Sequence, residues 1–215
     1  MGQRSLVNNG WAPAATSEVV TTTEDGGMTV AFTFDDGPDP TYTPQMLDLL
    51  ARYGIRATFC LIGEQAQAYP DLVRRIDAEG HELGDHTMTH RDLTTLSQEA
   101  GYAEVMDTYS LIVNTTGRDI SYFRAPYGHW TEYTNTVAAV QGGMQPIGWA
   151  VDTNDWQSPG VQAIVDAVRN DPATQGGIVL MHDGGGDRSQ TVEAVNQLIP
   201  YLLDQGYTFD FPLYK

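Results

Sequence analysis

Lysine is all but missing from this chain. Lys215 is its only lysine, and 11 basic residues stand against 28 acidic ones, for a net charge of −17. Nucleic acid and anionic membranes are bound through Lys and Arg contacts to phosphates, so neither is an expected partner. A neutral polymer would not be repelled by such a surface, and a cationic one would be attracted. Cysteine is nearly absent as well. Cys60 is alone, which excludes an intramolecular disulfide, and its apolar setting in Thr58-Phe59-Cys60-Leu61-Ile62 reads as a buried, inert thiol. No run approaches the ~18 consecutive apolar residues of a membrane span. There is no Gly-x-Ser-x-Gly sequence to carry a serine nucleophile.

Residues 1–27 are polar, rich in Thr and closed by Asp25-Gly26-Gly27, and read as an N-terminal arm before a domain over 28–215. Beyond them, short β-branched or aromatic runs alternate with helix-like stretches. Strands are expected at Met28–Phe34, Arg56–Ile62, near His81–Gly84, at Ser121–Arg124, Met144–Val151 and Gly177–Met181, with Tyr207–Phe211 closing the chain. Helices are expected at Thr43–Tyr53, Asp71–Glu79, Ser97–Asn114, Thr131–Gln141, Val161–Arg169 and Thr191–Asp204. Gly54, Gly80, Gly142 and Gly206 each follow a helix, where a left-handed residue without a Cβ ends it at least cost. This alternation predicts a parallel sheet covered by helices, 215 residues being enough for one substantial core. About seven strand–helix units point to a single-domain α/β barrel; an open doubly wound sheet is the alternative.

The unusual polar residues fall at strand ends. Asp35-Asp36 follows the first strand, and His86 and His90 follow the third. Arg124-Ala125-Pro126-Tyr127-Gly128 follows the fourth, Asp152-Thr153-Asn154-Asp155-Trp156 the fifth, and His182-Asp183 the sixth. In a parallel barrel all these ends open on one face, where such enzymes place their sites. His86 and His90 are four apart, so a helical turn would point both imidazoles one way. With one carboxylate they make a two-His metal set that leaves positions open. If the chain is extended at Asp35-Asp36, one carboxylate can face a metal and the other a water; a turn with an N-cap role is the other reading of Asp before Gly-Pro. His81 reads as structural. His129-Trp130 is a candidate sugar-stacking pair or a packed loop, and Gly184-Gly185-Gly186 reads as an open, flexible rim.

Thr-Phe-Asp-Asp-Gly-Pro, His-Thr-Met-Thr-His, Arg-Ala-Pro-Tyr-Gly, Asp-Thr-Asn-Asp-Trp and Ile-Val-Leu-Met-His-Asp together resemble the five ordered motifs of polysaccharide deacetylases, carbohydrate esterase family 4. The resemblance runs from residue 33 to 183. It implies a distorted (β/α)7 barrel and a metal-dependent hydrolase of carbohydrate acetyl groups. It further implies that Asp36, His86 and His90 hold a divalent metal, usually Zn2+, and that Asp35 is the general base, oriented by Arg124. The Tyr127 backbone N–H would stabilise the oxyanion, and His182 would be the general acid, oriented by Asp155. Trp156 and Leu180 would wall the acetyl pocket, with Pro126 and Trp130 beside it.

Chemistry of this kind needs those parts. A divalent metal brings the pKa of a bound water down to about 7. One aimed N–H donor on the oxyanion is worth about 2.7–4 kcal/mol, and an amine leaves badly without a proton. The substrates implied are chitin and chito-oligosaccharides first, with acetylated xylan as a second activity and peptidoglycan as an alternative. A binding domain without catalysis is the reading from another class, and it is disfavoured by the presence of Asp35, Asp155 and His182 together. Met1–Asn9 has no apolar leader; the expectation is a secreted, monomeric protein whose signal peptide has been removed.

Overall fold

The computed structural model describes residues 16–215, so most of the arm read at 1–27 lies outside the described residues. In chain order the elements are β1 (Thr29–Asp35), α1 (Tyr42–Tyr53), β2 (Thr58–Leu61), α2 (Gly63–Ala68), α3 (Pro70–Ala78), β3 (Glu82–Asp85), α4 (Gln98–Thr116) and β4 (Tyr122–Phe123). They continue with α5 (Glu132–Gln141), β5 (Gln145–Pro146), β6 (Val151–Asp152), α6 (Val161–Arg169), β7 (Gly177–His182), α7 (Ser189–Asp204) and β8 (Thr208–Phe209). The strands form one parallel sheet in the order β5-β4-β3-β2-β1-β7-β6, with β8 pairing the start of β1.

That order is cyclic. Apart from the step that joins β7 back to β1, each neighbour follows its predecessor in sequence, and there is no reversal of winding such as a doubly wound sheet requires. The two edge strands, β5 and β6, are nevertheless only five residues apart in sequence, a stretch that reaches ~18 Å at most. In a flat sheet six strand spacings would separate them by about 29 Å. The sheet therefore has to curl until its edges nearly meet, which makes it the distorted (β/α)7 barrel and excludes the open alternative. The same constraint corrects the single strand expected at Met144–Val151. Gln145–Pro146 pairs with β4 and Val151–Asp152 with β7, and the chain between them crosses the seam. The segment is interrupted by Gln145, Pro146 and Gly148, and proline or glycine within a strand pattern marks an edge, bend or bulge, a signal against a single strand.

Residues 20–24 help to fill that seam. The Val20 N–H donates to the Pro146 carbonyl at 3.1 Å and the Val20 carbonyl accepts from the Gly148 N–H at 2.7 Å, while the Thr21 carbonyl accepts from the Ile178 N–H and the Thr22 carbonyl from the Leu213 N–H. Helix α2 was not anticipated, being a single short turn-and-a-half without apolar periodicity. Gly54, Gly80 and Gly206 take positive φ as expected; after α5 it is Gly143, at φ 62°, and not Gly142 that turns left-handed.

Along β1 the two-residue period divides the side chains between two compartments. Val30, Phe32 and Phe34 join the large outer core under the helices. Ala31, Thr33 and Asp35 point the other way; Ala31 packs in the small barrel interior with Val20, Cys60, Tyr122, Ile147 and Ile178. Asp35 is the last and uppermost of that inward column.

Candidate active site

Register brings the strand ends to one level. Asp35 is paired with Cys60 of β2 and with His182 of β7, so the expected base and acid stand on adjacent strands. His86 follows directly on β3, Arg124 on β4, and Asp155 comes three residues after β6.

Asp36, His86 and His90 offer one ligand atom each within 4.8 Å of one another. Asp36 Oδ1 lies 3.4 Å from His86 Nε2 and 3.2 Å from His90 Nε2. His86 donates its Nδ1–H to the Arg124 carbonyl at 2.8 Å, which leaves Nε2 as the atom presented to the cluster. Asp36 Oδ1 is buried without a hydrogen-bond donor. A buried anionic oxygen facing two imidazole nitrogens fits a cation, and two nitrogens with one carboxylate suit a transition metal such as zinc. Burial would raise the Asp36 pKa, but the imidazole of His86 beside it and the His182 and His90 charges hold it down to about 2. In His90 burial and the adjacent His86 lower the pKa.

The helical turn expected at 86–90 does not form. Thr87 and His90 both have positive φ, 67° and 57°. Asp85 accepts the Thr87 N–H at 2.7 Å, Thr87 Oγ1 accepts the His90 N–H at 3.2 Å, and the buried Glu104 takes the Thr89 N–H and hydroxyl. Polar contacts to α4 thus replace the helical hydrogen-bond ladder. Nor is Asp36 extended: its φ is 72°. The turn and capping alternative falls to Asp39, which accepts the Thr41 and Tyr42 N–H groups. Among the described residues, four of the six non-glycine residues with positive φ, Asp36, Thr87, His90 and Tyr127, belong to this one site. Each costs on the order of 1–3 kcal/mol, and such strain gathers where geometry serves function.

Arg124 is fully buried and holds Asp35 by a 2.8 Å ion pair to Oδ1, while also donating to Thr33 Oγ1 and the Gly148 carbonyl. Across the opening, His182 Nδ1 donates to Asp155 Oδ1 at 2.7 Å. The other carboxylate oxygen of Asp155 accepts from His182 N–H and from Thr191 Oγ1. Burial alone would lower the His182 pKa, but the Asp155 hydrogen bond and charge raise it above the ordinary value. Asp155 is correspondingly lowered, its hydrogen bonds outweighing burial. Asp183 N–H donates to the Asp35 carbonyl, and burial pushes the Asp183 carboxyl up to about 7.

These groups share an open cavity of about 430 Å³, whose wall includes Asp35, Asp36, His86, His90, Tyr127, Trp156, Leu180 and His182. Pro126 is buried and does not line it. Trp130 does not line it either: its ring packs on Trp149 at 5.6 Å, against the bare Cα of Gly128. Trp149, Asp152 and Arg188 do line it and were not singled out as pocket residues. Trp149 and Arg188 lie outside the five motifs, and Asp152 lies inside one without being assigned a role. Thr191, behind Asp155, had no sequence signal. The glycine run is not a loose rim. A Cβ on Gly184 would lie 2.2 Å from the Asp36 carbonyl oxygen, and one on Gly185 would lie 2.6 Å from Asp36 Oδ2. The run is bare so that it can press against Asp36.

A barrel carrying a histidine–carboxylate cluster and a histidine–carboxylate couple across one cavity defines a hydrolase-like class. Within it, a polysaccharide deacetylase family profile matches residues 22–146. The chain is 40% identical to a chitooligosaccharide deacetylase of Sinorhizobium fredii over 85% of its own length and 89% of the relative's. It is 43% identical to a peptidoglycan-N-acetylglucosamine deacetylase of Bacillus cereus, over 84% of each. The crystal structure of a peptidoglycan N-acetylglucosamine deacetylase bound to 4-naphthalen-1-yl-N-oxidanyl-benzamide superposes with a TM-score of 0.85 at 31% identity, covering 91% of this chain and 90% of that one. The chain belongs to the polysaccharide deacetylase family.

Proposed function

We propose that this protein is a metal-dependent carbohydrate deacetylase that hydrolyses N-acetyl groups of chitin or chito-oligosaccharides. The observation that carries the proposal is the pairing of Asp35 with His182 across β1 and β7, beside the Asp36–His86–His90 cluster. A base and an acid flank one cavity, with a ligand set between strand ends. Asp36, His86 and His90 would hold the ion, which when bound supplies Lewis acidity for the carbonyl and for a water.

The chain's own groups do the rest. Asp35, kept oriented by Arg124, takes a proton from the water whose oxygen attacks the acetyl carbon. The Tyr127 N–H donates to the carbonyl oxygen as it gains charge. His182, protonated through its carboxylate partner, gives its proton to the sugar nitrogen as the C–N bond breaks, leaving acetate and an amine. Asp155 and Thr191 fix the ring so that the proton sits on the nitrogen facing the cavity. Trp156 and Leu180 wall the acetyl group. O-acetyl groups of xylan fit the same chemistry, an alkoxide leaving more readily than an amine. The likeness to a peptidoglycan deacetylase supports peptidoglycan N-acetylglucosamine as the second reading, whereas the charge of −17 favours neutral chitin over an anionic wall polymer.

The test is acetate release from chito-oligosaccharides, acetylated xylan and peptidoglycan, each with zinc-loaded and chelator-stripped protein. Release from the oligosaccharides that stops on stripping and returns with zinc is the expected result. Binding without release from any of the three would mean a carbohydrate-binding domain instead.

A further inference from the structure

Arg188 is a buried cation that the mechanism above leaves unused. It is 4% exposed, yet it lines the cavity that holds Asp35 and His182. Its Nε donates to the Gly184 carbonyl at 2.7 Å, and Nη2 lies over Gly186, where a Cβ would meet it at 3.6 Å. The guanidinium is thus held in place by the glycine run. It takes part in none of the ion pairs among the described residues, although acidic residues outnumber basic ones here by more than two to one. Its chain neighbour Asp187 is engaged with the Tyr42 hydroxyl and the Ser189 N–H.

The position is also unfavourable for the fold. Arg188 caps the N-terminus of the 16-residue helix α7, where the helix dipole disfavours a cation. A buried charge with only a backbone carbonyl and a chain-neighbour carboxylate nearby is poorly compensated, and a residue that breaks local rules in a cavity wall marks function. Beyond the Gly184 carbonyl on Nε, the Nη groups take part in no side-chain hydrogen bond or ion pair among the described residues, and the cavity is where an acceptor for them can arrive. The acceptor that fits is neutral, because Asp35 and Asp152, neither of them a ligand of the proposed ion, face the same space and disfavour a permanently anionic one. A sugar hydroxyl is neutral, accepts a charge-assisted hydrogen bond, and accompanies every acetamide of a chitin-type substrate.

Resting on the deacetylase reading, we propose that Arg188 is a specificity-determining residue that grips a ring hydroxyl of the sugar bearing the acetyl group. The experiment compares wild type, Arg188→Gln and Arg188→Lys on N-acetylglucosamine oligomers and on a small acetyl ester without a sugar, all zinc-loaded. Arg188→Gln is expected to lower kcat/KM on the oligomers by about ten- to hundredfold more than on the ester, mostly through KM. Arg188→Lys should recover part of the loss. Equal losses on both substrates would show that Arg188 serves the acidic cluster or the fold, and would overturn the proposal. So would no loss on either. If wild type binds the oligomers without releasing acetate, the deacetylase reading fails and Arg188 is judged by binding alone. Weaker binding by Arg188→Gln then supports the grip on the sugar, and unchanged binding refutes it.

Discussion

His81 lies just before β3 and His86 just after it, both almost fully buried, yet their surroundings move their pKa values in opposite directions. At the closed end of the strand, His81 Nδ1 accepts the Ala57 N–H at 3.1 Å, which only an uncharged nitrogen can do; burial lowers its pKa to about 4. At the open end, burial of His86 is outweighed by the charges of Asp35 and Asp36, and its pKa rises. His182 makes a third case, raised by a carboxylate bound directly to its Nδ1. Burial is nearly common to all three. What differs is the partner of Nδ1 and the number of carboxylates within reach, so the same ring becomes a structural acceptor, a candidate metal ligand and a candidate acid.

The comparison can be broken most severely at the base. Asp35→Asn is expected to cut acetate release by about 10²–10⁴-fold while zinc content, measured on the same preparation, stays near one per chain. Wild-type turnover in that variant would remove Asp35 from the role. Next is Gly185→Ala, which sets a Cβ against Asp36 Oδ2 at a residue of φ 74°. Competition with a chelator should show zinc affinity weakened on the order of 10–100-fold, as for other disturbed supports of a ligand. Affinity equal to wild type would mean the glycine run does not place Asp36.

Asp155→Asn removes the charge that raises His182. The alkaline limb of the rate–pH curve should move to lower pH, because the proton is then held less tightly, with a roughly tenfold loss at neutral pH. An unmoved limb would assign it to another group. The smallest effect on catalysis belongs to His81, whose influence is on stability. Its folded pKa is below its unfolded one, so the stabilisation is complete above about pH 6.5 and is lost as pH falls through about 4. The difference is worth about 3 kcal/mol. A His81 resonance titrating near 6.5 by NMR in the folded protein would contradict this.

Much of this protein was legible in residue order. Alternating strand and helix patterns, with glycines closing several helices, carried the parallel sheet, and the chemistry-bearing residues fell after strands where a barrel opens. Those features are local: periodicity, turn chemistry and motif spacing depend on neighbours a few residues away. The seam between β5 and β6 was only partly legible: Pro146 and Gly148 mark a break in the run, but which strand each half then pairs with depends on residues far away in sequence. His86 and His90 were read as a helical pair from their spacing, whereas left-handed residues and Glu104 from the following helix, α4, bring them together. The glycine run after His182 looked loose and is in fact pressed against Asp36, a contact between segments nearly 150 residues apart. Residue order by itself therefore determined which groups are available and at which end of the barrel they stand. Only the tertiary structure decided which of them face one another, how each imidazole is partnered, and where Arg188 points, since burial and charge at a site are summed over segments that sequence holds apart.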